Sequence, residues 1–418
     1  MFMRGNTILI SLTVINILLF TYIFRSVKKE ELDLQRTMID KSREFDLREN
    51  NDQVRKSQGS WKEIKAGEVK QSVKRDLPLS TENIGVEQPP VETLNPPYTG
   101  PTPIILHTYM RSGSSFVGDL LNAAEGTFYT YEPVHTLQFT IRRLEPIRYL
   151  NRPAKMFNNF LDVAIPTVKD MITCQFSKLP FPYFEDGFFS LSTNASVFTQ
   201  CNDKHRLITD TKKAYKCAEE LAKECSKHST FVTKIIRLPL YSLKELMEQL
   251  PNLKIIHLLR DPRPTMLSQI MTGNVKNKYL RANVTKYCNR VYDDVVMAED
   301  FNRMFPGRLL RVHYEDIVKE PFEITRKMYE FAGIAFTRKA SDTISKLTGS
   351  TEKQKSSDAT ASAWRQRVNM DFIRAVDTCC SQLYTKVGFQ DMLSESDIRD
   401  VSKSLRGPPP PYDDFRLA

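Results

Sequence analysis

A short apolar run, Ile104-Ile105-Leu106-His107-Thr108, ends in a small polar turn, Tyr109-Met110-Arg111-Ser112-Gly113-Ser114-Ser115, and a helical pattern follows at Phe116-Val117-Gly118-Asp119-Leu120-Leu121. That succession describes a buried strand, a turn over a glycine and a new helix. The N–H groups of such a turn and of the helix start point outward together, which suits an anion. The turn is not a Walker A loop, because Gly-x-x-x-x-Gly-Lys-Ser/Thr is absent. Its cation, Arg111, precedes the glycine. Taken alone, the segment reads equally well as an ordinary strand-to-helix turn capped by serine.

A second segment repeats the design. Leu253-Lys254-Ile255-Ile256-His257-Leu258-Leu259 reads as a buried strand and runs into Arg260-Asp261-Pro262-Arg263-Pro264, then a helical pattern holding Ser268. Arg260 stands at the strand end and Ser268 about two helical turns later. Arginine offers a planar fork of donors and serine a compact hydroxyl, both suited to phosphate oxygens. Arg-Asp-Pro alone marks a salt-bridged helix start; two such loops in this order are far more specific.

Further strand-like runs at Thr230–Ile236 and Leu309–Val312 alternate with helical patterns at Leu240–Gln249, Val291–Met304 and Glu323–Ala332. This alternation predicts an α/β fold, a P-loop-like parallel sheet flanked by helices. The stretch Pro133–Ser229 is less regular, carries four cysteines and one glycosylation sequon, and reads as an insertion shaping an acceptor site.

The 418 residues carry a net charge of +10, which favours an anionic partner without choosing one. No RNA-module signature or long basic tract points to nucleic acid. Gly5–Phe24 is uncharged, mainly apolar and about long enough to span a membrane. No small-x-small cleavage site follows it, so an uncleaved signal-anchor is expected. Arg25, Lys28 and Lys29 after the span favour a cytosolic C-terminal side. The sequons at Asn194 and Asn283 favour a luminal one. From Arg25 to Gly100 the chain is charged, poor in aromatics and finally proline-rich, the composition of a stem. The expected organisation is a tail at 1–4, an anchor at 5–24, a stem at 25–100, a catalytic domain at 101–390 and a C-terminal tail at 391–418. The seven cysteines lack paired Cys-x-x-Cys spacing with histidine partners, so no metal is expected. In an oxidising compartment some pair, and the odd number leaves one free or bonded to another chain, a route to a homo-oligomer alongside the stem.

The region from about Pro101 to Gln390 resembles the Golgi carbohydrate sulfotransferases, most closely the group acting on the 6-hydroxyl of galactose, N-acetylglucosamine or N-acetylgalactosamine, including chondroitin 6-sulfotransferase. Met110-Arg111-Ser112-Gly113-Ser114-Ser115-Phe116 is similar to their 5′-phosphosulfate loop. His257-Leu258-Leu259-Arg260-Asp261-Pro262-Arg263 is similar to their 3′-phosphate motif, with Ser268 at the matching distance. Tyr131-Glu132-Pro133-Val134-His135 resembles their Phe-Glu-Pro segment, Lys234-Ile235-Ile236-Arg237 a basic strand, and His313-Tyr314-Glu315-Asp316 a later strand end where the family usually has Arg before Tyr. Trp364-Arg365 sits where the family carries a nucleotide-covering loop.

The resemblance implies a Golgi type II membrane enzyme, with its catalytic domain luminal, that moves sulfate from PAPS (3′-phosphoadenosine 5′-phosphosulfate) to a hydroxyl of a glycan or glycosaminoglycan. Arg111, Ser112, Gly113, Ser114, Ser115 and Phe116 would hold the phosphosulfate, Arg260 and Ser268 the 3′-phosphate, Trp364 the adenine, with Arg365 reaching the 3′-phosphate. Glu132 is the expected base, its pKa raised by burial, with an ion pair to Arg111 or Arg237 as its structural alternative. His135 is the second candidate. His107, Glu315 and Asp316 read as structural. The rival classes are a nucleotide kinase-like enzyme and a noncatalytic glycan-binding protein of the secretory pathway.

Overall fold

The computed structural model describes residues 98–193, 195–202, 208–349 and 359–407. The expected anchor at 5–24, the stem up to residue 97, Asn194 and the chain from Pro408 lie outside them. Among the described residues no helix is long and apolar enough to cross a membrane.

The elements that build the site come in this order: β1 (Thr102–His107), α1 (Ser114–Asn122), β2 (Thr127–Tyr131), α2 (His135–Arg142), β3 (Thr230–Ile235), β4 (Lys254–Leu259), α3 (Pro262–Met271), α4 (Leu280–Met304), β5 (Leu309–His313) and α5 (Met370–Val387). The strands form one sheet in the order β2-β3-β1-β4-β5, and every pairing is parallel. Both faces are covered. Ile104 and Leu106 join Val232, Ile256 and Leu258 in one core, while Ile105 joins Phe231, Ile235 and Ile255 in the other. Burial on both sides is why these strands read as continuous apolar runs rather than alternating ones.

Two expectations change. Thr127–Tyr131, rich in aromatics and threonine, is an edge strand paired with β3 and was not among the expected strands. The stretch Pro133–Ser229 is largely helical, with longer helices at Leu161–Ile172 and Thr211–Ser226. Disulfides Cys174–Cys225 and Cys201–Cys217 staple that insertion, and Cys288–Cys380 ties α4 to α5. Cys379 is free.

The core under the end of β1 is polar. His107 Nε2 bonds to the Leu238 carbonyl at 2.8 Å. The Tyr109 hydroxyl donates to Asp294 at 3.0 Å and therefore accepts from His257 Nε2 at 2.9 Å. Both imidazoles are fully buried, and burial pushes their pKa values down, that of His257 far down. His107 is thus structural, as expected. The chain also stays packed beyond residue 390: Met392 and Ile398 are buried, and Phe389 pairs with Arg406.

Candidate active site

In a parallel sheet, ligands bind beyond the carboxyl ends of the strands, where the chain's direction of travel across the sheet reverses. From β1 the chain moves toward β2; from β4 it moves toward β5, and β1 and β4 are neighbours. The two anion loops read from the sequence therefore leave adjacent strands at the reversal point.

The first loop is knotted from within. The buried Ser112 hydroxyl donates to the Tyr109 carbonyl at 2.6 Å and lies 2.6 Å from Thr108 Oγ1. That hydroxyl shapes the loop and is not offered to a ligand, contrary to expectation. Arg111 and Gly113 both adopt positive φ, 65° and 85°. For an arginine this backbone costs about 1–2 kcal/mol, and such strain collects at functional sites. The cap of α1 is Gly113 rather than serine, and no side chain caps the helix, so the ordinary serine-capped turn is excluded. A Cβ at residue 113 would lie 2.2 Å from the Tyr314 ring, so glycine is required by φ and by space.

The second loop closes on the first. Arg260 Nη1 donates to the Arg111 carbonyl at 2.9 Å, and Arg111 Nε donates to Ser268 Oγ at 2.9 Å. The Gln269 amide donates to the Met110 carbonyl at 3.1 Å. Arg260 stacks on the Tyr314 ring at 4.3 Å, while its Nε is buried without a hydrogen-bond partner among the described residues. Arg111, Gly113, Arg260 and Ser268 thus form one cluster. Arg111 faces the Ser268 side of it, rather than only the phosphosulfate end.

Lys234 reaches toward Ser115. Its Nζ is 3.4 Å from Ser115 Oγ, 3.4 Å from the Tyr131 ring centre and 2.9 Å from Glu132 Oε1. Arg237 binds the other oxygen of Glu132. Burial pushes the Glu132 carboxyl up, but Arg237 and Lys234 together outweigh it and hold the group below the usual carboxylate range. The expected upward shift is therefore wrong in sign: two cations beat desolvation. The ion-pair partners are Arg237 and Lys234, not Arg111. Glu132 also has positive φ, 42°.

His135 opens α2 one turn later. Its Nδ1 is 2.9 Å from Asp186 Oδ2 and its ring lies 4.3 Å from that of Phe188. Phe188 is 5.3 Å from Tyr131, whose hydroxyl is 3.1 Å from Ser115 Oγ. His135 is thus linked by contacts to the first loop.

Trp364 lines a cleft of about 500 Å3 shared with Asp261, Glu315 and Arg406. Arg365 is buried, and its guanidinium donates to the carbonyls of Asp397, Ile398, Asp400 and Lys403. It clamps the segment from Asp397 to Lys403, so the expectation that it reaches a phosphate fails on geometry. Glu315 accepts from the Asp261 N–H at 2.9 Å, and burial beside Asp261 pushes its carboxyl up to about 7. Asn283 lies on the first turn of α4 and donates to the Tyr279 carbonyl at 2.9 Å. Tyr314, which fits against Gly113, Phe116 and Arg260, had no assigned role beyond its place in the His313-Tyr314-Glu315-Asp316 segment. Asp186 carried no sequence signal at all.

Comparison with known proteins points to one family. Residues 103–338 match the model of the sulfotransferase family. Carbohydrate sulfotransferase 1 of Danio rerio is 27% identical over 348 residues, 73% of this chain and 81% of the relative. Carbohydrate sulfotransferase 3 of Mus musculus is 25% identical, covering 72% of this chain and 71% of the relative. Among solved structures, the sulfotransferase domain from the Synechococcus PCC 7002 olefin synthase aligns with 69% of this chain and 98% of its own, at 16% identity and a TM-score of 0.37. With more than half of its length matched by the family model, this chain belongs to the sulfotransferase family.

Proposed function

We propose that this protein transfers a sulfuryl group from PAPS to a hydroxyl of a glycan or glycosaminoglycan, at the 6-position of a galactose or hexosamine. The observation that carries this reading is the meeting of Arg111, Arg260 and Ser268 over the uncapped start of α1. Relatives named carbohydrate sulfotransferases support the acceptor class. The residues fit the donor: the buried Nε of Arg260, unpartnered among the described residues, is a donor in want of an oxygen, and the bare N-terminus of α1 suits a phosphosulfate.

Sulfuryl transfer, like phosphoryl transfer, demands an in-line arrangement and stabilised oxygens more than covalent help. Arg260 and Ser268 hold the 3′-phosphate. The N–H groups of Gly113 to Phe116, the Ser114 and Ser115 hydroxyls and Lys234 face the phosphosulfate, and Arg111 bridges the two ends. Trp364 covers the adenine from the side of the cleft. Two groups on the rim, Glu132 and His135, stand where the hydroxyl proton must go.

Arg260→Ala and Ser268→Ala are each expected to weaken binding of 3′-phosphoadenosine 5′-phosphate, by roughly 1.5–3 kcal/mol for each charged hydrogen bond lost. Calorimetry on the purified variants checks this; unchanged affinity in both would remove the 3′-phosphate assignment.

The same reading places the chain in the Golgi membrane as a single-pass type II protein, with Gly5–Phe24 as the anchor, 25–100 as the stem and the catalytic domain luminal. Three disulfides suit an oxidising compartment. Endoglycosidase is expected to increase the mobility of cell-expressed protein, and Asn194→Gln with Asn283→Gln to abolish that shift. Digestion of the domain by protease outside sealed microsomes would contradict the topology.

A further inference from the structure

We infer that the exposed basic hairpin at 147–155 is a second binding surface for the acceptor, gripping the uronate carboxylates of an acidic glycosaminoglycan beyond the sugar that receives sulfate. The inference rests on the sulfate-transfer reading and narrows its acceptor to an anionic polymer.

Between Arg142 and Lys155 the sequence carries five basic residues, Arg142, Arg143, Arg148, Arg152 and Lys155, against one acid, Glu145. A tract of this kind is ordinarily a solvated face. Here the backbone beneath it is fixed. Ile147 and Lys155 exchange both of their backbone hydrogen bonds at 2.9 Å. The Arg148 carbonyl accepts from the Phe181 N–H at 2.9 Å, and Tyr149 pairs with Pro180. Ile147, Tyr149 and Leu150 sink into the core. Arg148, Arg152 and Lys155 are left exposed on an anchored turn.

Each of these three cations lies on an aromatic ring. Arg148 is 4.9 Å from the centre of Phe181, Arg152 3.8 Å from that of Tyr149 and Lys155 5.0 Å from that of Phe157. Stacking restrains a long side chain before any ligand arrives, which lowers the ordering cost of binding. The edge of a stacked guanidinium stays open to a carboxylate. Arg148 is also paired with Glu185 at 3.1 Å. Arg152 and Lys155 form no ion pair among the described residues, and with Tyr149 and Phe157 they line a cleft of about 250 Å3. Two acids lie nearby. Asp162 lines the same cleft and accepts from Asn159 Nδ2 at 3.3 Å, and Asp170 feels the charge of Arg152.

The hairpin is joined to the rim of the candidate active site. Along the sequence, α2 runs from His135 to Arg142 and the hairpin follows. Through space, Glu185, which holds Arg148, precedes Asp186, whose carboxylate accepts from His135 Nδ1 at 2.9 Å and from the Thr136 N–H at 3.1 Å. Eight helical residues rise about 12 Å, so the tract lies far enough out to meet neighbouring sugars rather than the reacting one. A polymer not yet sulfated carries its anions only as uronate carboxylates. Where uronate alternates with hexosamine, such a carboxylate recurs beside every acceptor sugar, which is the ligand a row of preset cations suits.

The test uses the full-length chain, labelled PAPS and two acceptors, desulfated chondroitin and a neutral poly-N-acetyllactosamine. Arg152→Ala with Lys155→Ala is expected to raise KM for chondroitin by about 3–30-fold, as two exposed ion pairs are lost. The kcat should stay within about twofold, and so should KM for the neutral acceptor. Added salt should raise the wild-type KM for chondroitin more steeply than that of the double variant. Arg152→Lys with Lys155→Arg should restore most of the loss, because the charges return. Unchanged nucleotide affinity by calorimetry shows that the variants are folded. An unchanged KM for chondroitin in the double alanine variant overturns the inference, as does a wild type that sulfates only the neutral polymer. A variant that keeps its KM but no longer binds phosphatidylserine vesicles makes the hairpin a membrane-facing patch and overturns it too. A wild type that sulfates neither polymer brings down the sulfate-transfer reading; retention on immobilised chondroitin, lost in the double variant, would still show the surface itself.

Discussion

Arg263→Ala is expected to destabilise the domain by about 3–5 kcal/mol, the cost of leaving buried charge without its partner. The Arg263 side chain is fully buried. Its Nε donates to Asp377 at 2.6 Å, Nη1 to Asp261 at 3.2 Å and Nη2 to the Gln390 carbonyl. Asp377 also accepts from the Tyr384 hydroxyl at 2.9 Å and the Met392 N–H at 3.0 Å. Alanine would leave two carboxylates facing one cavity. The damage reaches the site, because Asp261 caps α3 by accepting from the Arg263 N–H at 2.8 Å. That helix carries Ser268 and Gln269, which hold the Arg111 loop. Urea unfolding and nucleotide titration should therefore fail together. Arg263→Lys keeps the charge but not the three-way fork, so it should recover only part of the loss. A stability change below about 1 kcal/mol in Arg263→Ala, the size of a surface substitution rather than a buried one, would show the guanidinium to be dispensable.

What could be read from the sequence divides along the same line. The two anion loops were legible because each is local: a strand, a turn and a helix within about twenty residues, with the cation and glycine inside the motif. The sheet was legible for the strands whose apolar runs are long. The edge strand Thr127–Tyr131 was not, since aromatic and threonine residues beside a Glu-Pro turn carry no clear period. The role of Arg263 was hidden because Asp377 lies 114 residues away. Arg365 misled for the same reason: an arginine beside a tryptophan looks like a ligand contact until the chain from Asp397 to Lys403 folds over it. The sign of the Glu132 shift turned on Arg237, 105 residues distant, acting with Lys234; the sequence offered Arg237 only as one of two alternative partners, and no local pattern announces that two cations meet the carboxylate. Side chains whose partners come from other strands are fixed by topology, and topology is what sequence spacing leaves open.

Glu132→Gln is the second large effect, and its first consequence should be structural. Lys234 is 1% exposed, and Glu132 is its only ion-pair partner among the described residues. Glutamine keeps the shape but removes the counter-charge, leaving Lys234 Nζ buried beside Tyr131 and Ser115 without its ion-pair partner. The expected loss is again about 3–5 kcal/mol. Replacing the lysine as well separates this from any proton-transfer role. Lys234→Met with Glu132→Gln removes both charges and should be more stable than Glu132→Gln alone, a coupling that the double-mutant cycle measures directly. The pH dependence carries the same signature. In the folded chain the Glu132 carboxyl is held below its ordinary value of 4.5 by Arg237 and Lys234, despite burial. The unfolded chain therefore binds more protons as pH falls. This contribution is fully present above about pH 4.5 and is lost as pH drops through the folded value. Wild type should lose stability more steeply than Glu132→Gln across that acid window. If the two curves run parallel, the ion pairs are not what holds Glu132. If Glu132→Gln is as stable as wild type yet inactive, the carboxylate acts on the substrate and the base is Glu132.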